Sequence, residues 1–302
     1  MMAKKLSLFK GAVGINNKID PVRLKYNPET GVQELAAGVN IDIDSSMRIG
    51  RRKGYTLELA KASHSLFPCD GYCLFVSGDA LCVLEPDYSW TAIRNVTVGA
   101  RVSYAKAGGD IYYANGYEKG IVRDRVSYGW TAASYVGPPT TKTFSDPPTG
   151  HLLEIYNGVM LIAKGRVVWH SEPFAFSWFD YASGFIQFND TVTMMKAVQD
   201  GVFISTEKET FAHVGVTVKE FKQSKVADYP AIEGTAVTVH ASRIGDGSMS
   251  GLAAMWASKE GICFGGLDGY FKNLTERRLD YPAARYGAGL YRDGKYICLL
   301  KP

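Results

Sequence analysis

The chain has 302 residues, 46% hydrophobic and 21% charged, with a net charge of +4 and five cysteines. A chain this long buries about three quarters of its unfolded surface, so it needs no disulfide or metal to fold. The mild charge excludes the dense Lys/Arg stripe of a dedicated nucleic-acid binder, and no window approaches the roughly 18 apolar residues that mark a membrane-spanning helix.

The N-terminal stretch MMAKKLSLFKGAVG has Lys4 and Lys5, but Lys10 interrupts the apolar run behind them. No signal peptide is expected, and the protein is expected to be soluble and made in a cytoplasm. Residues 1–38 read as an N-terminal arm. Asn27 is a candidate cap and Pro28 a candidate first-turn residue over PETGVQELAA, but Gly31 weakens a helix there, so a short helix or turn is expected.

From residue 39 the period changes to two. GVNIDID places Val39, Ile41 and Ile43 on one face, and Asn40, Asp42 and Asp44 on the other. SSMRIGRRKGY follows, the densest basic run in the chain. Hairpins then recur, turning at Ser77-Gly78-Asp79-Ala80, Asn115-Gly116, Asn157-Gly158, Lys164-Gly165, Asp200-Gly201, Glu260-Gly261, Asp268-Gly269 and Asp293-Gly294. The repeating unit is strand, Gly-turn, strand, turn, strand. It appears near residues 66–94, 101–130, 151–180, 190–218 and 252–280.

That recurrence predicts an all-β fold over residues 39–302, a β-propeller whose units count to six blades, with five and seven as the alternatives. One small sheet cannot cover both its faces; sheets packed in a circle cover each other and protect their edges. The hairpin Arg285–Leu300 is expected to pair with the strands of Val39–Leu59 in one blade and close the ring. A β-sandwich has similar strand spacing and is the competing architecture. Two stretches break the rhythm: a Pro-rich connector at 136–150 and a long excursion at 226–250, within which GTAVTVHAS reads as one more strand.

Chemistry-bearing motifs are scarce. The five His have neither H-x3-H nor HExxH spacing. His170 beside Glu172 is a candidate acid–base pair, or a His satisfied by a carbonyl. No G-x-S-x-G, P-loop or G-x-G-x-x-G occurs. Asp42, Asp44, Asp110, Asp180, Asp190, Asp200 and Asp268 are candidates for an axial carboxylate cluster, although Asp200 and Asp268 already have a use in turns. Cys69, Cys73, Cys82, Cys263 and Cys298 form no regular framework and read as free thiols in a reducing compartment. The expectation is a non-enzymatic protein with no catalytic residues, no metal and no cofactor.

The candidate interface residues are of two kinds. Arg48, Arg51, Arg52 and Lys53 read as a solvated hairpin edge, or as a contact to an acidic subunit or a phosphate backbone. Trp178, Phe179, Tyr181 and Tyr229 are the aromatic candidates. The Trp169–Phe188 segment holds too many rings for one strand face, so some are core and the surplus is available for a partner or a sugar.

Three segments carry a resemblance to a known group. They are Gly14 to Asn17 (GINN), Asn40 to Asp44 (NIDID) and Arg51 to Tyr55 (RRKGY). Together with VVWHSEPFAFSWFDYASGFIQF, GICFGGLDGYFKNLTERRLDYP and GAGLYRDGKYI, they look like bacteriophage virion proteins of the tail hub, nozzle or neck type. The match runs from about Gly11 to Leu300. It implies a β-propeller in the phage tail or neck, made in the host bacterial cytoplasm, with other tail or neck proteins as partners and a ring-forming or ring-bound homo-oligomer as the assembly. It implies no membrane, leaves DNA contact open and supplies no catalytic residues. The chain is shorter than typical nozzle proteins. The alternative from another class is a carbohydrate-binding or glycan-cleaving propeller for the bacterial surface.

Overall fold

A computed structural model describes residues 10–301 except 28, 55, 245–248, 277 and 281–282. Its regular structure is strand, with only three-residue 3-10 turns besides. Five antiparallel sheets follow one another along the chain. The first runs from His64–Cys69 through Tyr72–Ser77 and Ala80–Leu84 to Trp90–Asn95. The second runs from Ser103–Ala107 through Asp110–Ala114 and Lys119–Arg123 to Val126–Tyr128. The third is built on Leu152–Tyr156, Val159–Lys164 and Val167–Glu172, extended by Ala175–Asp180 and the short strands Phe144–Ser145 and Phe185–Gln187. The fourth spans Val192–Val198 to Lys222–Ala227, and the fifth Val237–His240 to Phe271–Asn273.

The turns form where small polar residues tolerate positive φ. Asn157 and Gly158 lie at φ 45° and 75°, the geometry a two-residue hairpin loop demands. The strands between them bury whole runs, such as Val159–Ala163 and Gly201–Thr206.

Buried clusters lie between consecutive sheets. Leu74 and Leu81 of the first meet Ile111 and Val122 of the second. Tyr112 and Trp130 then meet Met160 and Ile162 of the third. Leu161 and Val168 meet Val202 and Ile204 of the fourth. Phe203 meets Trp256 of the fifth, and Phe264 meets Tyr291 and Tyr296 of the final hairpin. Each sheet from the second to the fifth therefore packs on both neighbours. This is the blade-on-blade packing of a β-propeller.

The ends differ from expectation. The final hairpin, Tyr286–Arg292 with Lys295–Lys301, and the hairpin Ile41–Ile43 with Ile49–Arg51 remain separate two-stranded sheets. The expected ladder between them does not form among the described residues, so they do not make one sixth blade there. Tyr286 instead bridges to Glu233, and the amides of Gly287 and Gly289 donate to the carbonyls of Glu233 and Gly234. These bonds take up the start of the Tyr286–Arg292 edge. Contact between the two hairpins comes from Lys295 on Asp42 at 3.1 Å. Arg101 at the entrance to the second sheet donates to the Gly287 carbonyl at 3.0 Å.

In the arm, the described residues take the turn and not the short helix of the two alternatives. Pro28 lies outside the described residues, but Asn27 Oδ1 accepts from the amides of Glu29 and Thr30, which makes a turn. Val32–Leu35 then runs as a strand between Gly11–Ile15, parallel to it, and Tyr26–Asn27. The 226–250 excursion is shorter than expected. Lys222–Ala227 is the fourth strand of the fourth sheet and Val237–His240 the first of the fifth.

Candidate interaction surfaces

The basic hairpin is shaped by Asp44, whose Oδ1 accepts from the amides of Ser46 and Arg48 at 2.8 and 2.9 Å. That turn pairs Ile41 with Arg51 and Ile43 with Ile49. Arg48, Arg51, Arg52 and Lys53 are all exposed. Arg52 lies 3.8 Å from Asp42. Arg48, Arg51 and Lys53 have no carboxylate partner among the described residues.

Several cations of the five sheets are paired: Lys106 with Asp70, Arg123 with Asp110, Arg125 with Glu85, Lys196 with Glu154 and Lys208 with Asp190. Others, such as Lys164, Lys222 and Lys272, have no carboxylate partner among the described residues. Formal charge is unevenly divided along the chain. Residues 1–61 and 271–302 together hold eighteen Lys/Arg and nine Asp/Glu, whereas residues 62–270 hold sixteen and twenty-one.

The terminal segments form one surface. Asn17 exchanges two hydrogen bonds with the backbone of Asp280, at 3.0 and 2.7 Å. Ala12 donates to the Met47 carbonyl at 2.8 Å. Glu34 is buried, accepts from Asn16 at 3.1 Å and lies 3.9 Å from Arg278. The terminal segments also leave large apolar side chains in solvent, among them Val22, Val39, Leu57, Leu290 and Leu299.

The aromatic candidates separate. Phe179 is fully buried, edge-on to Trp130 with centroids 6.4 Å apart, so it is core and not interface. Tyr229 is half-buried beside Phe271, and its hydroxyl accepts from Asn273 at 3.3 Å. Burial, with the neighbouring Cys263 a smaller cause, pushes its phenol up to about 12. Trp178 stacks against Phe144 at 5.5 Å and meets Tyr135 at 4.8 Å. Tyr181 covers Trp169 at 4.5 Å and remains 38% exposed.

The Pro-rich connector folds over this second group. It forms an open hollow of about 590 Å³ lined by Tyr135, Gly137, Pro139, Thr140, Lys142 and Phe144. Tyr135 and Phe144 could have been suspected from their places at either end of the prolines, but their meeting depends on the tertiary fold.

Of the two readings of His170, the structure takes the His beside a carbonyl and not the acid–base pair with Glu172. Lys142 takes Glu172 as an ion pair, while His170 is buried with Nδ1 3.3 Å from the Ser171 carbonyl. Burial lowers the His170 pKa. The carboxylates expected at an axis are used locally. Asp110 holds Arg123, Asp190 holds Lys208, Asp180 accepts from Ser183, and Asp200 accepts from the Asp268 amide.

Among the described residues no group of three or more His, Cys, Asp and Glu is placed to hold a metal. No helix there is long and apolar enough to cross a membrane. One buried group was not anticipated: His213, 2% exposed, lies among Phe188, Phe211 and Phe221, with neither ring nitrogen hydrogen-bonded.

No family model matches the chain, and no curated protein matches it. Solved structures do match. The extracellular domain of a putative hybrid two-component system from B. thetaiotaomicron is 10% identical, with a TM-score of 0.47, over 76% of this chain and 31% of its own. Kluyveromyces lactis Hsv2 is 11% identical with a TM-score of 0.45, over 79% and 77%. The WD40 beta propeller domain of Doa1 is 12% identical with a TM-score of 0.42, over 70% and 68%. The chain thus spans less than a third of the first of these proteins. Likeness at this level says nothing of activity; the fold rests on the sheet order and packing described above.

Proposed function

We propose that the chain is a non-enzymatic structural subunit of a bacteriophage tail or head–tail connection, a rigid propeller that presents its terminal face and blade loops to neighbouring virion proteins. The observation that carries this reading is the unmatched charge of the basic hairpin. Arg48, Arg51 and Lys53 stand together in solvent on one short hairpin, with no carboxylate partner among the described residues. Unmatched cations beside exposed apolar side chains suit a surface that another subunit completes. The segments that resemble phage virion proteins, Gly14 to Asn17, Asn40 to Asp44 and Arg51 to Tyr55, belong to this same terminal region. The continuous buried packing from first sheet to last hairpin supplies stiffness.

The test is the composition of purified particles. Mass spectrometry and quantitative gel analysis are expected to find the chain at a fixed ratio to the portal protein, and intact particles lacking it overturn the proposal.

One observation favours a second reading, carbohydrate binding. The hollow beside Trp178 sets stacked rings next to the Lys142–Glu172 ion pair, the mixture of flat apolar and polar groups that a sugar meets. Glycan binding by the purified protein that Tyr135→Ala and Trp178→Ala both abolish is the result expected on that reading.

A further inference from the structure

We infer that the outer edge of the final hairpin, along Lys295–Lys301, accepts an extended segment of a different protein as an added β-strand. That segment carries a carboxylate opposite Lys301 and apolar side chains opposite Leu299 and Ile297. The inference takes its biological use from the structural-subunit reading, but it is tested on the purified chain alone.

The first argument is the open backbone. The hairpin pairs Tyr286 with Lys301 and Arg292 with Lys295 and stops at two strands, where each of the five sheets goes on to at least four. In an antiparallel ladder both members of a non-hydrogen-bonded pair turn their amides and carbonyls away from each other. Gly287 and Gly289 turn theirs toward Glu233 and Gly234. Their ladder partners, Leu300 and Cys298, therefore turn theirs to the opposite side. Neither has a further strand beside it among the described residues. A row of open donors and acceptors is a template for another strand.

The second argument is the bare face of the same hairpin. On one face Tyr291 and Tyr296 pack on Phe264 of the fifth sheet. The other face sets Leu290 beside Ile297 and Ala288 beside Leu299. Leu290 is 53% and Leu299 72% exposed. The second to fifth sheets are covered on both faces by their neighbours, whereas here only the fifth sheet supplies cover. An added strand would place its alternate side chains beside Ile297 and Leu299 and extend the half-blade toward the width of the others.

Charge and register select the partner. Lys295 and Lys301 end the edge strand and, by alternation, share a face with Ile297 and Leu299. Lys295 already takes Asp42 at 3.1 Å from the strand Ile41–Ile43. Lys301 has no carboxylate partner among the described residues. A second copy joined edge to edge about Cys298 would set each Lys295 opposite a Lys301, and like charges directly opposite one another oppose pairing. End lysines also guard an edge against indiscriminate strands. A foreign segment with an acid at that end turns the guard into an attraction. In antiparallel order from Lys301, the matching pattern is Glu-Thr-Val-Thr-Val-Thr, with both Val on the side of Leu299 and Ile297.

The experiment adds the synthetic peptide acetyl-Glu-Thr-Val-Thr-Val-Thr-amide to the full chain and follows titration calorimetry and amide hydrogen exchange. So short a strand is expected to bind with a Kd below about 1 mM and to slow exchange at Cys298 and Leu300. N-methylation of the second Thr, whose amide faces Cys298, is expected to weaken binding about tenfold, since a ladder hydrogen bond is lost. Lys301→Glu is expected to weaken the Glu peptide several-fold and to prefer a peptide with Lys in its place, a reversal that a misfolded variant cannot give. Absence of binding at about 1 mM peptide overturns the inference. Equal binding of the methylated peptide overturns it too, as side-chain contact without a ladder, and so does a Lys301→Glu chain that still prefers Glu. Cys298 and Leu300 amides already protected in the free monomer would mean that the chain fills its own edge. Protection that rises with protein concentration would mean a second copy. Either result overturns it. Whether the chain is found in particles bears on the structural-subunit reading and on none of these outcomes.

Discussion

His213 is the most costly single placement in the molecule. Burial among three Phe rings lowers its pKa to about 4, and Gln223 works weakly the other way without bonding to either ring nitrogen. The unfolded chain takes up a proton near pH 6.5, whereas the folded one resists until about pH 4. Stability from this residue is complete above pH 6.5 and is lost as pH falls between those values, by about 3 kcal/mol in total. His213→Leu, nearly the same size, is expected to flatten that part of the acid limb while preserving stability at pH 7. Urea unfolding at pH 7 and pH 4.5 measures the difference. A neighbouring contrast tests the aromatic assignments: Phe179→Ala is expected to cost about 3–5 kcal/mol as a core truncation, and Trp178→Ala considerably less. Equal losses would mean that both rings carry the core.

At the scale of the element, the turns hold the repeating units in register. Gly201 opens the second strand of the fourth sheet, and a β-carbon there would stand 2.2 Å from the His213 carbonyl oxygen. Gly201→Ala is expected to destabilise by about 1–3 kcal/mol through that clash, measured by the urea midpoint. The hairpins were legible because Asn-Gly and Asp-Gly report their own backbone geometry. The strand Lys222–Ala227 was not, because KQSKVA is exposed along most of its length and has no apolar alternation to read. The arm left two alternatives open for a similar reason: an Asn that can cap a helix can equally close a turn, which is what Asn27 does. Which ring of the Trp178–Phe179 pair faces inward was hidden as well. A register shift separates the pairs Ser171–Phe179 and Glu172–Ala175, and such a slip moves side chains from one face to the other. The basic run was visible as composition, but its lack of carboxylate partners is a property of the fold.

At the scale of the whole molecule, the arrangement is a row of mutually covered sheets finished at its ends by a separate terminal layer. Asn17 is the tie between the beginning and end of the chain, and Asn17→Ala removes both of its bonds to Asp280. The expected outcome is faster proteolytic trimming of the first forty or so residues, with the five sheets remaining a resistant fragment, since local opening follows the loss of local bonds. Uniform digestion of the variant would show the terminal layer and the sheets to be one cooperative unit. The same tie has a consequence for the order of events on the ribosome. Asn17 and Asp280 are separated by 263 residues, which take roughly 13–50 s to synthesise at typical rates. The strand Gly11–Ile15 can pair with Val32–Leu35 almost at once, but its tie to Asp280 has to wait until every blade is made.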